Sequence, residues 1–454
     1  MVLESRYDYY QFSDYFKTNL PEHWVEKRLG YLAKEERAAF VDGPFGSDLK
    51  TSDYIDDGVP LIQLNNIRDS KHLMQNMKFV TEDKKQQLIR HLAIPGDVVI
   101  AKMAEPVARA AAVGNNYSEY VIVADCVKMT ANPDLVDLRY LVWAINSDYV
   151  RINAELVSTG TTRIRVNLGE LKKLKIPYPS YVEQQSIANF LDHETSKIDS
   201  LIEKQQQLIQ LLKEKRQAVI SHAVTKGLNP SATMRDSGVE WLGQVPEHWG
   251  IKPIKQLADL TPRKSEVSLN KDLICNFVPM EKLKIGTVLL DEERFISDVY
   301  DGYTYFKNDD ILMAKVTPCF ENHNIAIVSG LVNRIGFGST EIYVLRVKTG
   351  VSNKFLYYRL QESNFMAVAT SAMTGAGGLK RVPSDVLNTY LLAMPDFKEQ
   401  ENIAIYIDIR TTKIENLIEH SNSAIELMKE RRTALISAAV TGKIDVRYFK
   451  TTGV

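Results

Sequence analysis

The chain has 454 residues, of which 44% are apolar and 25% charged, and its formal net charge is −1. This composition is typical of a globular protein long enough for about three domains, and it excludes a strongly basic protein that would bind nucleic acid or membranes through its overall charge. The three cysteines lie far apart, which favours neither a disulfide framework nor a metal cluster and suits a reducing cytoplasm. No stretch approaches the ~18 apolar residues of a membrane span.

Residues 1–180 are predicted to form a first globular domain that mixes helices and strands. Short apolar runs bounded by turn residues, such as residues 96–101 (GDVVIA), predict strands, whereas residues 138–154 carry apolar residues at helical spacing. Near the end of the domain, Arg163 and Arg165 occupy alternate positions beside a flexible turn. This spacing suits contacts to phosphate or guanine.

Residues 183–226 predict one long helix, because they contain no proline and no glycine before Gly227. Apolar residues recur at spacings of three and four, which is typical of a coiled-coil seam. At ~1.5 Å per residue the helix would extend roughly 65 Å, too far to be covered by one small core. We therefore expect a partner helix, contacted through Ile198, Leu201, Gln205, Leu208 and Leu212.

The second half of the chain repeats the order of the first. Residues 227–238 are rich in glycine, asparagine, proline and serine, and they are predicted to be a linker. A second mixed domain follows at residues 239–396. It opens with residues 245–249 (VPEHW), a near copy of residues 20–24 (LPEHW).

Two loops of the second domain are candidate contact surfaces. One covers residues 315–323 (KVTPCFENH), which combine charged, hydroxyl and amide groups of the types that read base edges. The other covers residues 374–381 (TGAGGLKR), the counterpart of residues 159–165 (TGTTRIR). Composition alone leaves open the alternative that all these loops are merely solvated surface.

Residues 399–442 predict a second long helix, followed by a C-terminal tail at residues 443–454. Residues 399–441 align with residues 183–225 at one offset, 399 − 183 = 216, without a gap and with 22 identities in 43 positions. Because even the polar interruptions of the seam recur, we interpret the chain as two copies of one unit. The pairing positions on this helix are predicted to be Ile414, Leu417, Ser421 and Met428.

The shared seam predicts that the two long helices pair antiparallel. In that arrangement Gln205 would lie opposite Ser421, at the central polar interruption of both seams. It would also bring Glu194 toward Arg431 or Arg432, as an ion pair between the helices.

No catalytic or metal-binding constellation is recognisable in the sequence. A GxxxxGK[ST] phosphate loop is missing, and residues 375–378 (GAGG) do not open a helix after a strand. His23 and His248 lie in the repeated PEHW turn, where a structural hydrogen bond is expected rather than metal ligation. We therefore predict no catalytic site, no metal and no bound cofactor.

Several longer motifs accompany the duplicated helix, notably residues 42–50 (DGPFGSDLK), residues 237–249 (SGVEWLGQVPEHW) and residues 302–306 (GYTYF). In combination they resemble the specificity subunit of type I restriction-modification enzymes over nearly the whole chain. The resemblance implies a mixed α/β fold with two α+β target-recognition domains. Two long helices would join them as an antiparallel coiled coil with pseudo-twofold internal duplication.

The resemblance also implies a subunit that binds DNA and has no catalytic site of its own. It would recognise a bipartite, asymmetric site on double-stranded DNA, one half per domain, with the helices setting the spacer. Two modification subunits that methylate adenine with S-adenosylmethionine, and two restriction subunits that use ATP and Mg²⁺, would complete the assembly. The candidate DNA contacts are Lys50, Lys102, Arg163, Arg165, Lys315, Thr317, Asn322, Lys380 and Arg381.

Two competing classes are a structural coiled-coil adaptor and a DNA-modifying enzyme. An adaptor would have no DNA affinity, and an enzyme would need a cofactor or metal motif. The sequence leaves open the DNA target of each domain, the spacer length and the presence of restriction subunits.

Overall fold

The structure, a computed structural model, describes residues 6–68, 70–103, 106–160, 164–267, 272–376 and 378–449. The chain folds into two compact units. The first comprises Met1–Gln205 and Ser423–Val454, and the second comprises Gln206–Asn422. Each unit therefore combines one globular domain with the first part of one long helix and the last part of the other.

The first unit mixes short strands and short helices, as predicted. Its strands are β1 (Tyr10–Ser13), β2 (Thr18–Pro21), β3 (Val25–Arg28), β4 (Phe40–Asp42), β5 (Val59–Ile62), β6 (Ile67–Arg68), β7 (Lys71–His72), β8 (Phe79–Val80), β9 (Leu92–Ala93), β10 (Val98–Ala101), β11 (Ala110–Ala112), β12 (Tyr120–Ile122), β13 (Cys126–Met129) and β14 (Lys175–Tyr178). Its short helices are α1 (Glu82–Gln87), α2 (Leu138–Ile145), α3 (Asp148–Leu156) and α4 (Leu168–Lys173).

Two four-stranded sheets form the body of the first unit. One is antiparallel throughout, in the order β11-β10-β13-β4, and the other has the order β8-β5-β12-β9 with β5 and β12 parallel. Strand β10 is buried at all four positions, which explains why its sequence is a continuous apolar run. The pairs β1-β2, β6-β7 and β3-β14 complete the unit.

The second unit has the same mixture of elements. Its strands are β15 (Met234–Asp236), β16 (Gln244–Pro246), β17 (Gly250–Pro253), β18 (Ala258–Leu260), β19 (Ile274–Val278), β20 (Leu283–Lys284), β21 (Thr287–Val288), β22 (Glu293–Phe295), β23 (Thr304–Lys307), β24 (Ile311–Ala314), β25 (Ile325–Ile327), β26 (Ile335–Gly338), β27 (Ile342–Val347), β28 (Thr374–Ala376), β29 (Leu379–Arg381) and β30 (Leu391–Met394). Its short helices are α6 (Ile254–Leu257), α7 (Ile296–Val299), α8 (Asn353–Arg359), α9 (Ser363–Ser371) and α10 (Ser384–Thr389).

The sheets of the second unit repeat the strand orders of the first. The antiparallel sheet runs β25-β24-β27-β18, and the mixed sheet runs β22-β19-β26-β23 with β19 and β26 parallel. In the mixed sheet the Phe306 ring packs against Gly336, where a Cβ atom would lie 2.1 Å from the ring. Only glycine fits beneath that ring, which gives a structural reason for the aromatic end of the GYTYF motif. The predicted duplication thus extends from the helices to both domains.

Two long helices follow the globular domains, as predicted. They are α5 (Tyr181–Lys226) and α11 (Phe397–Val440). Within the described residues, none of the helices combines the length and the apolar character needed to cross a membrane.

The PEHW turns hold the beginnings of the long helices. His23 Nε2 lies 2.8 Å from Glu183 Oε1 at the start of α5, and His248 Nε2 lies 2.8 Å from Glu399 Oε2 at the start of α11. The neighbouring tryptophan indoles donate to the same two glutamates at 3.4 and 3.3 Å. The structural role predicted for the two histidines is confirmed.

In the first unit the two helix segments run antiparallel, as predicted. Asp199 Oδ1 of α5 lies 3.0 Å from Arg432 Nε of α11, and one buried core contains both Ile187 and Ala439. Sequence numbers therefore fall along α11 as they rise along α5. Of the two arginines predicted to approach Glu194, Arg432 pairs with Asp199 instead, and Glu194 Oε1 lies 3.2 Å from Lys197 Nζ on its own helix. The approach of Glu194 to Arg431 stays a prediction.

The second unit contains the equivalent arrangement. Arg216 Nε of α5 lies 3.0 Å from Glu415 Oε1 of α11, and one buried core contains Ile220 and Ile407. Both helix segments therefore stabilise the domain of their unit as well as each other.

Only part of the predicted seam is buried. The pairing positions that are buried or half-buried are Ile198, Gln205, Leu212, Ile414, Ser421 and Met428. Three predicted positions are wrong, since Leu201, Leu208 and Leu417 are 50%, 42% and 51% exposed. Gln205 and Ser421 belong to different units, and their direct pairing stays a prediction.

The seam passes instead through the half-buried isoleucines Ile202, Ile209 and Ile418, each next to a misplaced leucine, and it also includes two buried threonines. Thr195 and Thr411 are buried, and each hydroxyl donates to the carbonyl four residues earlier, Leu191 O at 2.6 Å and Ile407 O at 2.9 Å. A hydroxyl satisfied by its own helix can occupy a seam position. A pattern that counts apolar residues alone passes over such threonine positions.

The segments predicted as linker and tail both carry structure. Strand β15 lies within the predicted linker, and Arg235 Nη2 donates to Trp249 O at 2.8 Å. In the tail, Val446 is buried and the Phe449 ring lies 5.1 Å from the Phe190 ring. Each segment therefore belongs to the folded unit that contains it.

Candidate nucleic-acid interface

In the second unit the two predicted contact loops form one surface. The Thr317 N–H donates to Lys380 O at 3.0 Å, and the Thr317 hydroxyl accepts from the Lys380 N–H at 3.0 Å. Gly375 permits the tight hairpin between β28 and β29, because a Cβ atom there would lie 2.2 Å from Leu379 O. The structure thus joins two segments that lie about sixty residues apart in the sequence.

A bidentate ion pair lies at the base of this hairpin. Arg381 donates from Nε to Glu341 Oε2 at 2.9 Å and from Nη2 to Oε1 at 2.7 Å. The hydrogen bonds from Arg381 lower the pKa of Glu341, and the positive charge of Lys315 adds to the effect although burial opposes it. The carboxylate is therefore held in its charged form.

The other predicted residues of the second unit surround this pair. Lys315 is half-buried, with Nζ 5.2 Å from the centre of the Tyr343 ring. Lys380 and Asn322 are exposed. A ligand approaching the hairpin would therefore meet the Lys380 ammonium group, the Asn322 amide and the guanidinium group of Arg381.

The first unit contains a similar site. Arg165 Nη2 lies 2.6 Å from Asp125 Oδ1, and the Val166 N–H donates to Lys102 O at 3.1 Å. Arg165 thus lies beside the end of strand β10, as Arg381 lies beside the end of β24. Arg163, which is also predicted to contact DNA, lies outside the described residues.

Lys102 and Lys50 occupy different environments. Lys102 is buried, with Nζ 2.6 Å from Asp42 Oδ1, a placement that disfavours direct contact with DNA and favours holding the loop that begins at Asp42. Lys50 is exposed at the far end of that loop, where its N–H donates to Asp53 Oδ2 at 2.7 Å. In the loop between Asp42 and Lys50, Phe45 is 81% exposed. It is an apolar surface residue that the sequence analysis did not select.

Two acidic residues at the site were also missed by the sequence analysis. Adding 216 to Asp125 gives Glu341, and adding 216 to Arg165 gives Arg381. This is the offset that relates the two long helices. A search for paired charges at that offset would have found the acids, whereas a search for cations alone passed over them.

The arrangement can recognise an anion or a base edge. Arginine forks bind phosphate and guanine in the same bidentate geometry, and exposed lysines and amides add further contacts. Within the described residues, no group of three or more His, Cys, Asp and Glu side chains is placed to hold a metal ion.

Known proteins are similar to this chain in sequence and in fold. The family model for the type I restriction modification DNA specificity domain matches residues 50–211. The EcoAI specificity subunit of Escherichia coli is 37% identical over 166 residues, which are 36% of this chain and 28% of that protein. The alignment therefore spans little more than a quarter of the EcoAI subunit.

Other matches extend over nearly the whole chain. The StySPI specificity subunit of Salmonella potsdam is 22% identical over 442 residues, 94% of this chain and 91% of that protein. A chain from a structural study of complex assembly and conformational transition of the type I R-M system superposes with a TM-score of 0.69 at 14% identity, covering 94% of this chain and 99% of that one. The chain is therefore similar to type I restriction-modification specificity subunits, in sequence most clearly over residues 50–211 and in fold over nearly its whole length.

Proposed function

We propose that the chain is the DNA-recognition subunit of a type I restriction-modification complex. It binds a bipartite, asymmetric site on double-stranded DNA, with one half of the site read by each domain. The observation that carries this proposal is the repeated loop surface at Arg165 and Arg381, which presents an arginine paired with an acidic residue in each of two domains that share their strand orders but differ in sequence.

The modest net charge of −1 agrees with a subunit that reads sequence rather than coating the DNA backbone. Affinity for DNA in general comes from neutralised phosphates, whereas sequence is read by contacts to base edges. A chain whose net charge is close to zero leaves much of the phosphate neutralisation to partner subunits.

We further propose that two modification subunits and two restriction subunits assemble with this chain. S-adenosylmethionine, ATP and Mg²⁺ would then be bound by those partners. Each helix carries exposed leucines at duplicated positions: Leu201 and Leu417 are 50% and 51% exposed, and Leu211 and Leu427 are 62% and 66% exposed. Equivalent apolar positions on the two copies suit two copies of one partner.

Methylome sequencing of the host with and without this chain tests the proposal. We expect methylated adenines at one bipartite motif to disappear when the chain is deleted and to return when it is restored. Unchanged methylation would contradict DNA recognition, and it would favour a structural adaptor.

Assembly is tested separately. Leu201→Glu and Leu427→Glu in the first unit should weaken co-purification with the methyltransferase. Leu228→Glu makes the same substitution at an exposed leucine beyond the end of α5, and it should not weaken co-purification. Loss of co-purification in all three variants would argue against a specific docking position.

A further inference from the structure

We propose that Asp125 and Glu341 determine the specificity of DNA binding. In the free protein each carboxylate neutralises the arginine of its loop, and on the cognate site it accepts a hydrogen bond from an exocyclic amino group of a base. This inference rests on the proposed DNA-recognition function and adds two acidic residues to it.

The geometry of the second unit carries the argument. Arg381 and Glu341 make two parallel hydrogen bonds, at 2.9 and 2.7 Å, and both side chains are partly exposed at the base of the hairpin. An arginine engaged in this way contributes little to phosphate neutralisation. A phosphate that approaches it also meets the negative charge of Glu341, so contact with arbitrary DNA is disfavoured.

A base edge in the major groove can satisfy both members of the pair. Guanine offers the O6 and N7 acceptors to an arginine fork, and its partner cytosine offers the N4 amino group to a carboxylate. Adenine offers a similar amino donor at N6. The ion pair can therefore exchange its internal hydrogen bonds for base contacts, whereas the backbone provides acceptors only.

Duplication gives a second, independent observation. Asp125 and Arg165 form the same kind of pair in the first unit, at 2.6 Å, and both members lie at the common offset of 216 from their counterparts. The surrounding loops, TGTTRIR and TGAGGLKR, differ at most positions. The acid itself changes from Asp to Glu, so charge and acceptor are retained while the reach of the side chain differs.

The main alternative is that the two ion pairs only hold the loops in place. Backbone contacts argue against this alternative. Arg381 pairs with Val316 through a β-bridge, and the Thr317 contacts to Lys380 already join the hairpin to the loop. Arg165 makes an equivalent bridge with Met103. The loops are therefore positioned without the side-chain ion pairs.

The test uses the full chain assembled with its methyltransferase partner and the variants Glu341→Gln and Asp125→Asn. Binding is measured by fluorescence anisotropy over a range of salt concentrations. One duplex carries the sequence found methylated in the host, and the other carries one scrambled half-site. Glu292→Gln is the matched control, because Glu292, just before strand β22 of the same unit, accepts two hydrogen bonds from Arg294, at 2.9 and 2.6 Å.

For Glu341→Gln we expect affinity for the scrambled duplex to rise by up to about eightfold near 0.1 M salt, as one released arginine gains a phosphate and the salt slope steepens by about 0.9. Preference for the cognate half-site should fall by about 5- to 150-fold, which is the discrimination that one good base contact provides. Asp125→Asn should lower the preference for the other half-site only. Glu292→Gln should change neither quantity.

Several results would overturn the proposal. Lower affinity for both duplexes in Glu341→Gln would indicate a structural role, and an equal gain in Glu292→Gln would indicate a general charge effect. If Glu341→Gln does not fold, Glu341→Asp keeps the charge and must retain weak binding to the scrambled duplex while it loses cognate preference.

Lys380→Ala separates this inference from the proposed function. If Lys380→Ala weakens binding while Glu341→Gln leaves the cognate preference unchanged, only the role of the carboxylate fails. If neither variant changes the affinity for either duplex, the loop surface does not contact DNA and the proposed site fails as well.

Discussion

Asp199 and Arg432 form an ion pair with 3.0 Å between Oδ1 and Nε. Glu415 and Arg216, which occupy the duplicated positions, form the equivalent ion pair at the same distance. The acid of one copy always meets the arginine of the other, because 199 + 216 = 415 and 216 + 216 = 432. A single helix sequence thus contains both halves of a self-complementary contact, as in a twofold-symmetric dimer.

The first prediction concerns these two pairs. Asp199→Asn should lower the free energy of unfolding by up to about 1 kcal/mol, because partly exposed ion pairs contribute little. The effect should exceed that of Glu415→Gln, since Asp199 also lies 3.2 Å from Lys71 whereas Glu415 is more exposed. Urea unfolding at low and high salt measures both variants. The exchange Asp199→Arg with Arg432→Asp should recover part of the loss, and no recovery would mean that the pair contributes nothing.

The second prediction concerns Glu183 at the start of α5. Burial alone would raise its pKa, but hydrogen bonds from His23 and Ser180 outweigh that effect, so the pKa lies below its ordinary value of 4.5. A carboxylate with a depressed pKa contributes stability that is present above the ordinary value and is lost as the pH falls through the folded-state value. Glu183→Gln should therefore be less stable at neutral pH and lose less stability on acidification below about 4.5. Parallel curves of unfolding free energy against pH for the two proteins would contradict this.

The third prediction concerns the basic loop residues. Alanine variants of Arg163, Arg165, Lys315, Lys380 and Arg381 should mostly weaken binding to the cognate duplex while assembly with partner subunits is retained. A phosphate contact should reduce the salt slope by about 0.9 and affect all sequences alike, whereas a base contact should affect mainly the cognate site. Lys348→Ala, which removes a surface lysine paired with Asp259 at 3.2 Å, serves as the control. Unchanged affinity in all five variants would place the DNA elsewhere.

The fourth prediction concerns modularity. Replacing residues 25–179 with the corresponding domain of a relative should change one half of the methylated motif and leave the other half intact. The physical reason is that each unit has its own buried core and its own loop surface. Methylome sequencing reads the outcome directly. Changes in both halves would show that the domains do not recognise DNA independently.

The fifth prediction concerns a buried ion pair in the second unit. Arg359 and Glu362 are 0% and 1% exposed and lie 2.8 Å apart, and Arg359 Nη1 also donates to Val224 O at 3.1 Å near the end of α5. Arg359→Met should destabilise the protein by about 3–5 kcal/mol, because it leaves Glu362 buried without a counter-charge. The double variant Arg359→Met with Glu362→Leu should recover most of that loss, as measured by urea unfolding. A loss of equal size in the double variant would mean that the hydrogen bond to Val224, rather than the charge, matters.

The sequence by itself determined the duplication, the extent of both long helices and their antiparallel direction. It also determined the structural role of His23 and His248. These features depend on local periodicity, on glycine and proline positions and on self-similarity, all of which are visible along one chain. The mixed α/β character of the domains follows for the same reason, since strands such as Val98–Ala101 are short apolar runs between turns.

Only the tertiary structure decided which side chains meet. Asp125 and Arg165, like Glu341 and Arg381, are 40 residues apart, and each pair forms because packing brings a strand end beside a loop. Likewise, Leu201 is exposed while its neighbour Ile202 is half-buried, and Thr195 can be buried because its hydroxyl is satisfied by its own helix. Hydrophobic pattern identifies the elements of a fold, whereas the partners of polar groups are fixed by distance and direction in three dimensions.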